Sequence, residues 1–555
     1  MPRVVAFVSA VALLAGSWTA TAGRQASPAA PLEVSAARIH ADIAFLADDL
    51  LEGREAATRG YDVAARYGAA ALEAAGCAPG ADDGSYLQQV PLDVSIPTAA
   101  SMRLTAADGT TTELPLPEQG LIIAGATQGT THVSAPLVFV GFGVTAPAFD
   151  YDDYAGLDVK GKIVAFLFNA PPRLPSEPRA HYASFEQKLR NAADHGAVAV
   201  VTLFGPDDAK RFPWEEVQAA LGRSIFRWVD TDGSLVPSEK RLQAVAYLSP
   251  EGAARLFAGS PLSLEEAVEA GRKSVAGGAP LAATLTIDTE ASHTRVSSPN
   301  VVGVLKGSDP ALAGTSVVLT AHLDHIGVRP DGDGDRINNG AYDNATGSAI
   351  VLEVARVLAA QPARPKRSIV IVLVTSEEKG LLGSDYFAHH PVTAAGRMIA
   401  AVNLDMPVFL TASSDIVAFG SENSSLGDVV RQAAASAGYT LSPDPMPEQN
   451  IFVRSDQYAL VKKGVPAVYL MPGFTAKDPS VNGQEVFGRF LSAHYHKPSD
   501  DLSLPMDLNA AARFTRVNLA VVRAIADDRA EPTWNPGNFF GKTFAGAKQP
   551  ARSEP

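Results

Sequence analysis

SIVIVLVTSEEKG, residues 368–380, is an unbroken apolar run that ends on two adjacent carboxylates. A Val/Ile-rich run without polar alternation reads as a strand covered on both faces, the habit of a parallel sheet. Glu377 and Glu378 just past its end are costly to desolvate unless they are paired or hold a cation. The same pattern recurs on either side. SVVLTAHLDH (316–325) carries His322 and Asp324 at the end of a β-rich run, and AAVNLDM (400–406) ends on Asp405. NNGAYDNATGSA (338–349) places Asp343 in a Gly-flanked turn before a helix, and HYHKPSD (494–500) carries His496. Amphipathic stretches such as ATGSAIVLEVARVLAAQ (345–361) and SLGDVVRQAAASAG (425–438) separate the strands. Alternating strand and helix imply an α/β fold with a mostly parallel central sheet flanked by helices. In such sheets ligands gather beyond the carboxyl ends of the strands, where these acids and imidazoles fall.

Three carboxylates and two imidazoles suffice for two zinc-like ions with one carboxylate bridging, a set that points to a hydrolase. Each residue also has an ordinary structural reading: a hydrogen-bonded His at a strand end, a helix-capping Asp at 343, a solvated Glu pair. Their company favours the metal reading. His322 and Asp324 lie two apart on a strand and so share a face, which makes His322 the ligand and Asp324 its orienting carboxylate; Asp324 as a direct ligand is the alternative. His325 falls on the opposite face and is not expected to ligate. Asp343 is the candidate bridge. Of the adjacent pair, Glu378 is expected to ligate and Glu377 to act as general base. His496 rather than His494 completes the set. The run DGDGD (331–335) resembles part of a calcium loop but lacks the Gly and distal Glu of an EF-hand, so a solvated loop is the expectation and Ca2+ the minor alternative.

The chain has 555 residues, enough for two or three domains. A hydrophobic share of 46% and a charged share of 19% are those of a globular protein. A net charge of −14 repels phosphates, which argues against nucleic acid or an anionic membrane surface as partner. Arg3, the short apolar run after it and Ala20-Thr21-Ala22 read as a signal peptide over residues 1–22, hence an exported, periplasmic or secreted protein with no stable membrane insertion. A small-residue leader follows at 23–32. Residues 34–76 read as helical. Cys77 is the only cysteine, which excludes an intramolecular disulfide and reads as a packed thiol. Residues 96–285 change to short β-rich runs between Gly/Pro turns and carry none of the five ligands, so they read as an inserted α+β domain. The expected division is 34–95 and 286–530 for the ligand-bearing domain and 531–555 for a loosely ordered Pro/Gly tail. Asn344-Ala345-Thr346 and Asn423-Ser424-Ser425 match the glycan-acceptor pattern, a short and unspecific signal.

HLDH, GAYDNATGSA, SEEKGLLGS, NLDM and YHKPSD resemble, in order and spacing, the co-catalytic di-zinc exopeptidases. That family includes bacterial secreted leucyl-type aminopeptidases and, more distantly, glutamate carboxypeptidase II. FLADDLLEGREAATRGYDVAARYGAAALEAAG (45–76) is similar to the lead-in of the bacterial members, and GFGVTAPAFDYDDYAGLDVKGKIVAF (141–166) resembles a protease-associated domain. The resemblance covers most of residues 34–525. It implies one zinc on Glu378 and His496, another on His322 and Asp405, Asp343 bridging both, Glu377 as base and Asp324 as orienter. Co2+ or Mn2+ can substitute at such sites. It implies a peptide substrate that loses one terminal residue to a metal-bridging hydroxide, most readily from the amino end. A glutamate-type carboxypeptidase shares every ligand and needs cations for a free carboxylate, for which Arg454 and Lys497 are candidates. A glutaminyl cyclase ranks below these, since it usually holds one zinc and lacks the insertion. An inactive scaffold like the transferrin-receptor relatives also ranks below, because all five ligands and the base are present. Nothing in the sequence sets the oligomeric state.

Overall fold

A computed structural model describes residues 33–546 except 124–128, 222–223, 237–238 and 331. The signal peptide and leader expected over residues 1–32, Asp331 of the DGDGD run and residues 547–555 lie outside the described residues.

Four central strands run parallel: Ser368–Val374 beside Thr315–His322, then Arg397–Leu404, then Ala467–Pro472. Ala279–Leu305 closes one side antiparallel to Ser368–Val374, and Asp415–Phe419 closes the other antiparallel to Ala467–Pro472. Every residue of Ser368–Val374 is buried, as its unbroken apolar sequence requires. The helices Ala36–Leu46, Arg59–Ala75, Thr346–Ala360 and Leu508–Asp527 pack on this sheet in one continuous apolar core. The order across the sheet matters for the site. It sets the strands leading to Glu378, His322 and Asp405 side by side, so their carboxyl ends open on one place.

Residues between about 102 and 287 bury separate apolar clusters of their own. Here Gly129–Phe139, Ile163–Leu167, Ala199–Leu203 and Ala244–Leu248 form a second parallel set. The expected boundaries at 95/96 and 285/286 fall inside strands: Leu87–Ala106 and Ala279–Leu305 pair as one long antiparallel ribbon that runs from the second set into the main sheet. A change in composition along the chain does not mark a break in a strand that serves both halves.

The second unit is fastened to the first by buried and partly buried polar contacts. Asp385 accepts from Trp228 Nε1 at 2.9 Å and from Lys462 Nζ at 3.0 Å, and Lys462 also reaches Glu186 at 2.9 Å. Trp228 is fully buried against Val90, Leu92 and Leu382. Replacing Asp385 with Ala leaves an indole N–H and an ammonium short of a partner and is expected to cost roughly 1–3 kcal/mol. Asp385→Asn, which keeps an acceptor, should cost less; thermal unfolding of the two variants gives the comparison, and equal melting temperatures would contradict it.

The tail departs from expectation. Phe539–Phe544 is a short helix, Phe540 is buried among Phe452, Tyr458 and His181, and Trp534 Nε1 donates to Gly464 O at 3.2 Å. The aromatic side chains of Trp534, Phe539, Phe540 and Phe544 outweigh the Pro/Gly content, so residues 531–546 are a docked segment. No helix among the described residues is long and apolar enough to cross a membrane.

Candidate metal centre

The five expected ligands converge. His322 ends its strand with Nε2 3.1 Å from Asp405 Oδ1 and 3.2 Å from Asp343 Oδ1. His496 Nε2 lies 3.2 Å from the other Asp343 oxygen, Oδ2, and 3.1 Å from Glu378 Oε2. Asp343 thus offers one oxygen to each imidazole. The ligand atoms of His322, Asp343 and Glu378 all fall within 4.8 Å of one another.

Asp343 is held by its neighbours rather than by its own turn. The Asp500 carboxylate accepts the amides of Tyr342 and Asp343 at 2.9 and 3.0 Å. Asn344 donates to Leu404 O and accepts the Met406 amide at 3.2 Å, which ties this turn to the Asp405 strand end. Gly340 has φ +59°, and a Cβ there would meet Asp343 O at 2.2 Å and the His325 ring at 2.6 Å. Ser376, Met406 and His496 also have left-handed backbone, at φ 55°, 42° and 57°. Conformations that cost of order 1–3 kcal/mol each persist where surroundings over-determine them, and here they flank Glu377 and Asp405 or carry His496 itself.

The expectation for Asp324 is half met. It lies against His322, but its backbone carbonyl, not its carboxylate, accepts from His322 Nδ1 at 3.1 Å. The carboxylate accepts the amides of Glu377 and Glu378 at 3.1 and 3.3 Å and so positions the Glu pair. His325 differs more. The strand ends at His322, so two-residue alternation no longer governs position 325. Its ring is buried in the site, with Nδ1 2.8 Å from Glu378 Oε1. Ser455 donates to Asp405 Oδ2 at 2.7 Å, and the Tyr495 ring stacks on His496 at 3.8 Å between centroids. Asp500, Asn344, Ser455 and His325 are the supporting residues that sequence reasoning misses. Asp500 and His325 lie within the motifs HYHKPSD and HLDH, while Ser455 carries no signal.

The electrostatics separate the adjacent glutamates. Burial raises Glu377 well above the usual carboxylate range; Asp405 and Glu378 add to this, and His322 opposes it. Glu378 meets the same burial, but His496 and His325 outweigh it and hold its carboxyl well below that range. Burial and Glu378 oppose ionising Asp343, yet His322 and His496 bring its pKa down to about 2. Burial works against charging His496, and Glu378 and Asp343 carry it up to about 10. Adjacent acids pushed apart in this way are a pattern of acid–base sites.

The side chains fit a cation. His322 Nδ1 donates to a carbonyl, so a neutral ring turns the Nε2 lone pair onto two carboxylate oxygens, an arrangement that calls for a positive charge between them. His496 Nε2 is buried between two carboxylate oxygens, 3.2 Å from Asp343 Oδ2 and 3.1 Å from Glu378 Oε2. Two imidazoles with three carboxylates is a zinc-type donor set.

Asn344 and Asn423 are buried, at 1% and 2% exposure, and neither can present a glycan. Lys497 turns its amine to Ser492 O at 2.6 Å, whereas exposed Arg454 bears electrostatically on Tyr495. Asp335 forms a local turn with the Ile337 amide and belongs to no group of three or more His, Cys, Asp or Glu ligand atoms among the described residues. An apolar depression lined by Val408, Leu410, Met471, Phe474 and Phe487 lies between the segment after Asp405 and the helix before His496.

Residues 300–522 match the model of Peptidase family M28. A probable zinc metalloprotease of Pyrenophora teres f. teres (strain 0-1) is 37% identical over 121 residues, 21% of this chain and 24% of that protein. Aminopeptidase YwaD of Bacillus subtilis (strain 168) is 33% identical over 102 residues, 18% of this chain and 19% of that protein. The chain spans about a quarter of the length of the first of these relatives and less of the second. The solved aminopeptidase from Aneurinibacillus sp. strain AM-1 shares the fold, with a TM-score of 0.52 at 20% identity over 91% of this chain and 97% of that one.

Proposed function

We propose, from the match of residues 300–522 to the model of Peptidase family M28, that the protein is an exported zinc exopeptidase, an aminopeptidase that removes the amino-terminal residue of peptides. The observation that carries this reading is the Asp343 carboxylate, with each oxygen 3.2 Å from a different buried imidazole nitrogen. One zinc would be held by His322, Asp405 and Asp343 Oδ1, a second by His496, Glu378 and Asp343 Oδ2. Zinc ions supply Lewis acidity and bring the pKa of water towards neutrality. Co2+ or Mn2+ can replace them at such donors.

The protein's own groups do the rest. Glu378 is fixed by His325 and Asp405 by Ser455, so both carboxylates keep one orientation. No hydrogen bond fixes the Glu377 carboxylate among the described residues, which leaves it available to take a proton from the attacking water and return it to the leaving amine. Asp324 aims both glutamates through their amides. The insert, read as a protease-associated domain, borders the site where the Phe226 ring lies 5.2 Å from Lys379 Nζ. A glutamate-type carboxypeptidase is the second reading, for which the exposed Arg454 would supply the cation for a free carboxylate.

The test is a peptide panel with free amines, blocked amines and free carboxyl-terminal glutamate, run with and without chelator. Chelator-sensitive cleavage that needs a free amine is expected. Cleavage of blocked peptides from the carboxyl end would move the assignment to the second reading.

A further inference from the structure

We propose that Arg54, from the lead-in helix region, is a positioning residue for the metal centre: its buried guanidinium ties the end of the strand that carries His322 to the turn that presents Asp343. Arg54 is 1% exposed, and every hydrogen bond it makes goes to a backbone carbonyl. Nε donates to Leu323 O at 3.0 Å, between His322 and Asp324. Nη1 donates to Asn339 O at 2.5 Å and to Leu46 O, and Nη2 to Gly340 O at 3.0 Å. Asn339 and Gly340 begin the turn that delivers Asp343. The backbone of the same segment continues the lock: Arg54 O accepts the His325 amide at 3.2 Å, and Gly53 O accepts the Gly327 amide at 3.1 Å.

The segment is bent to reach this place. Glu52, Gly53 and Arg54 are consecutive left-handed residues with φ 48°, 68° and 49°. A Cβ at Gly53 would meet Asn338 O at 2.4 Å. A buried cation without a bonded carboxylate is expensive unless charges close by compensate it. The acids acting on Arg54 are Asp500, Asp324, Asp343 and Glu378, all members or supports of the centre. The planar fork of an arginine spreads its donors over three nitrogens and here serves four carbonyls, whereas an ammonium offers three donors from a single nitrogen.

The inference rests on His322 and Asp343 being ligands, so wild-type zinc binding is measured first. Zinc affinity by chelator competition and the visible spectrum of the cobalt-loaded protein are then compared for Arg54→Met, Arg54→Lys and Arg367→Met. Arg367 is also buried, but it bonds Thr315 Oγ1 at 2.5 Å and Arg529 O, at the end of the Thr315–His322 strand away from His322. Arg54→Met should weaken zinc at least about tenfold and shift the cobalt bands, with Arg54→Lys between it and wild type. Arg367→Met should lower thermal stability and leave affinity and spectrum as in wild type. If Arg54→Met does not fold, the lysine variant carries the comparison. Zinc affinity and cobalt spectrum unchanged in the folded Arg54 variants, or weakened equally in Arg367→Met, would overturn the proposal while the metal reading stands. Wild-type protein that binds no zinc would overturn both.

Discussion

Glu377→Gln is expected to lower kcat by about 10²–10⁴-fold, the range of a lost general base, while leaving zinc content at the wild-type level. The glutamine is nearly the same size and keeps the amide that donates to Asp324 Oδ1. It cannot accept and release a proton. Neither imidazole nitrogen directed at the candidate ligands is paired with Glu377, so the donor set stays intact. Metal analysis beside steady-state kinetics separates the two effects. A variant that loses zinc in proportion to activity would make Glu377 a ligand. A variant with wild-type turnover would give the proton to another group.

Asp343→Ala should be at least as severe, by a different route. Removing the shared carboxylate takes one donor from each half of the centre at once. Zinc stoichiometry and activity should fall together. The neighbouring carboxylates cannot take its place, since Asp405 already faces His322 and Glu378 already faces His496. Zinc bound to the native state alone adds about 4 kcal/mol of stability at a thousandfold excess over its Kd. The wild-type protein should therefore melt lower in chelator, and Asp343→Ala should melt at one temperature with or without it. A variant that keeps both zinc ions would remove Asp343 from the bridging position.

Much of this arrangement is legible in the sequence, and the parts that are not share a cause. Ser368–Val374 reads as a central strand because both faces are apolar, and the acids just past such strands stand out because burial would penalise them. His322, Asp343, Glu378, Asp405 and His496 meet in the structure as their motifs imply. Face alternation misplaces His325 because its strand ends three residues earlier, at His322. Arg54 and Asp500 do not stand out because they act through backbone groups, and the partners that tie them to the centre, Leu323 and Asp343, lie 269 and 157 residues away along the chain. The ribbon of Leu87–Ala106 and Ala279–Leu305 is equally hidden, since pairing across such a separation leaves no local pattern. The docked tail is masked by its Pro and Gly content, although Trp534 and Phe540 supply the apolar area that holds it.

The most direct test of the central claim is anomalous diffraction at the zinc edge from crystals of the zinc-loaded protein. Two peaks per chain are predicted, one among His322 Nε2, Asp405 and Asp343 Oδ1, the other among His496 Nε2, Glu378 and Asp343 Oδ2. A single peak, or peaks away from Asp343, would contradict the account.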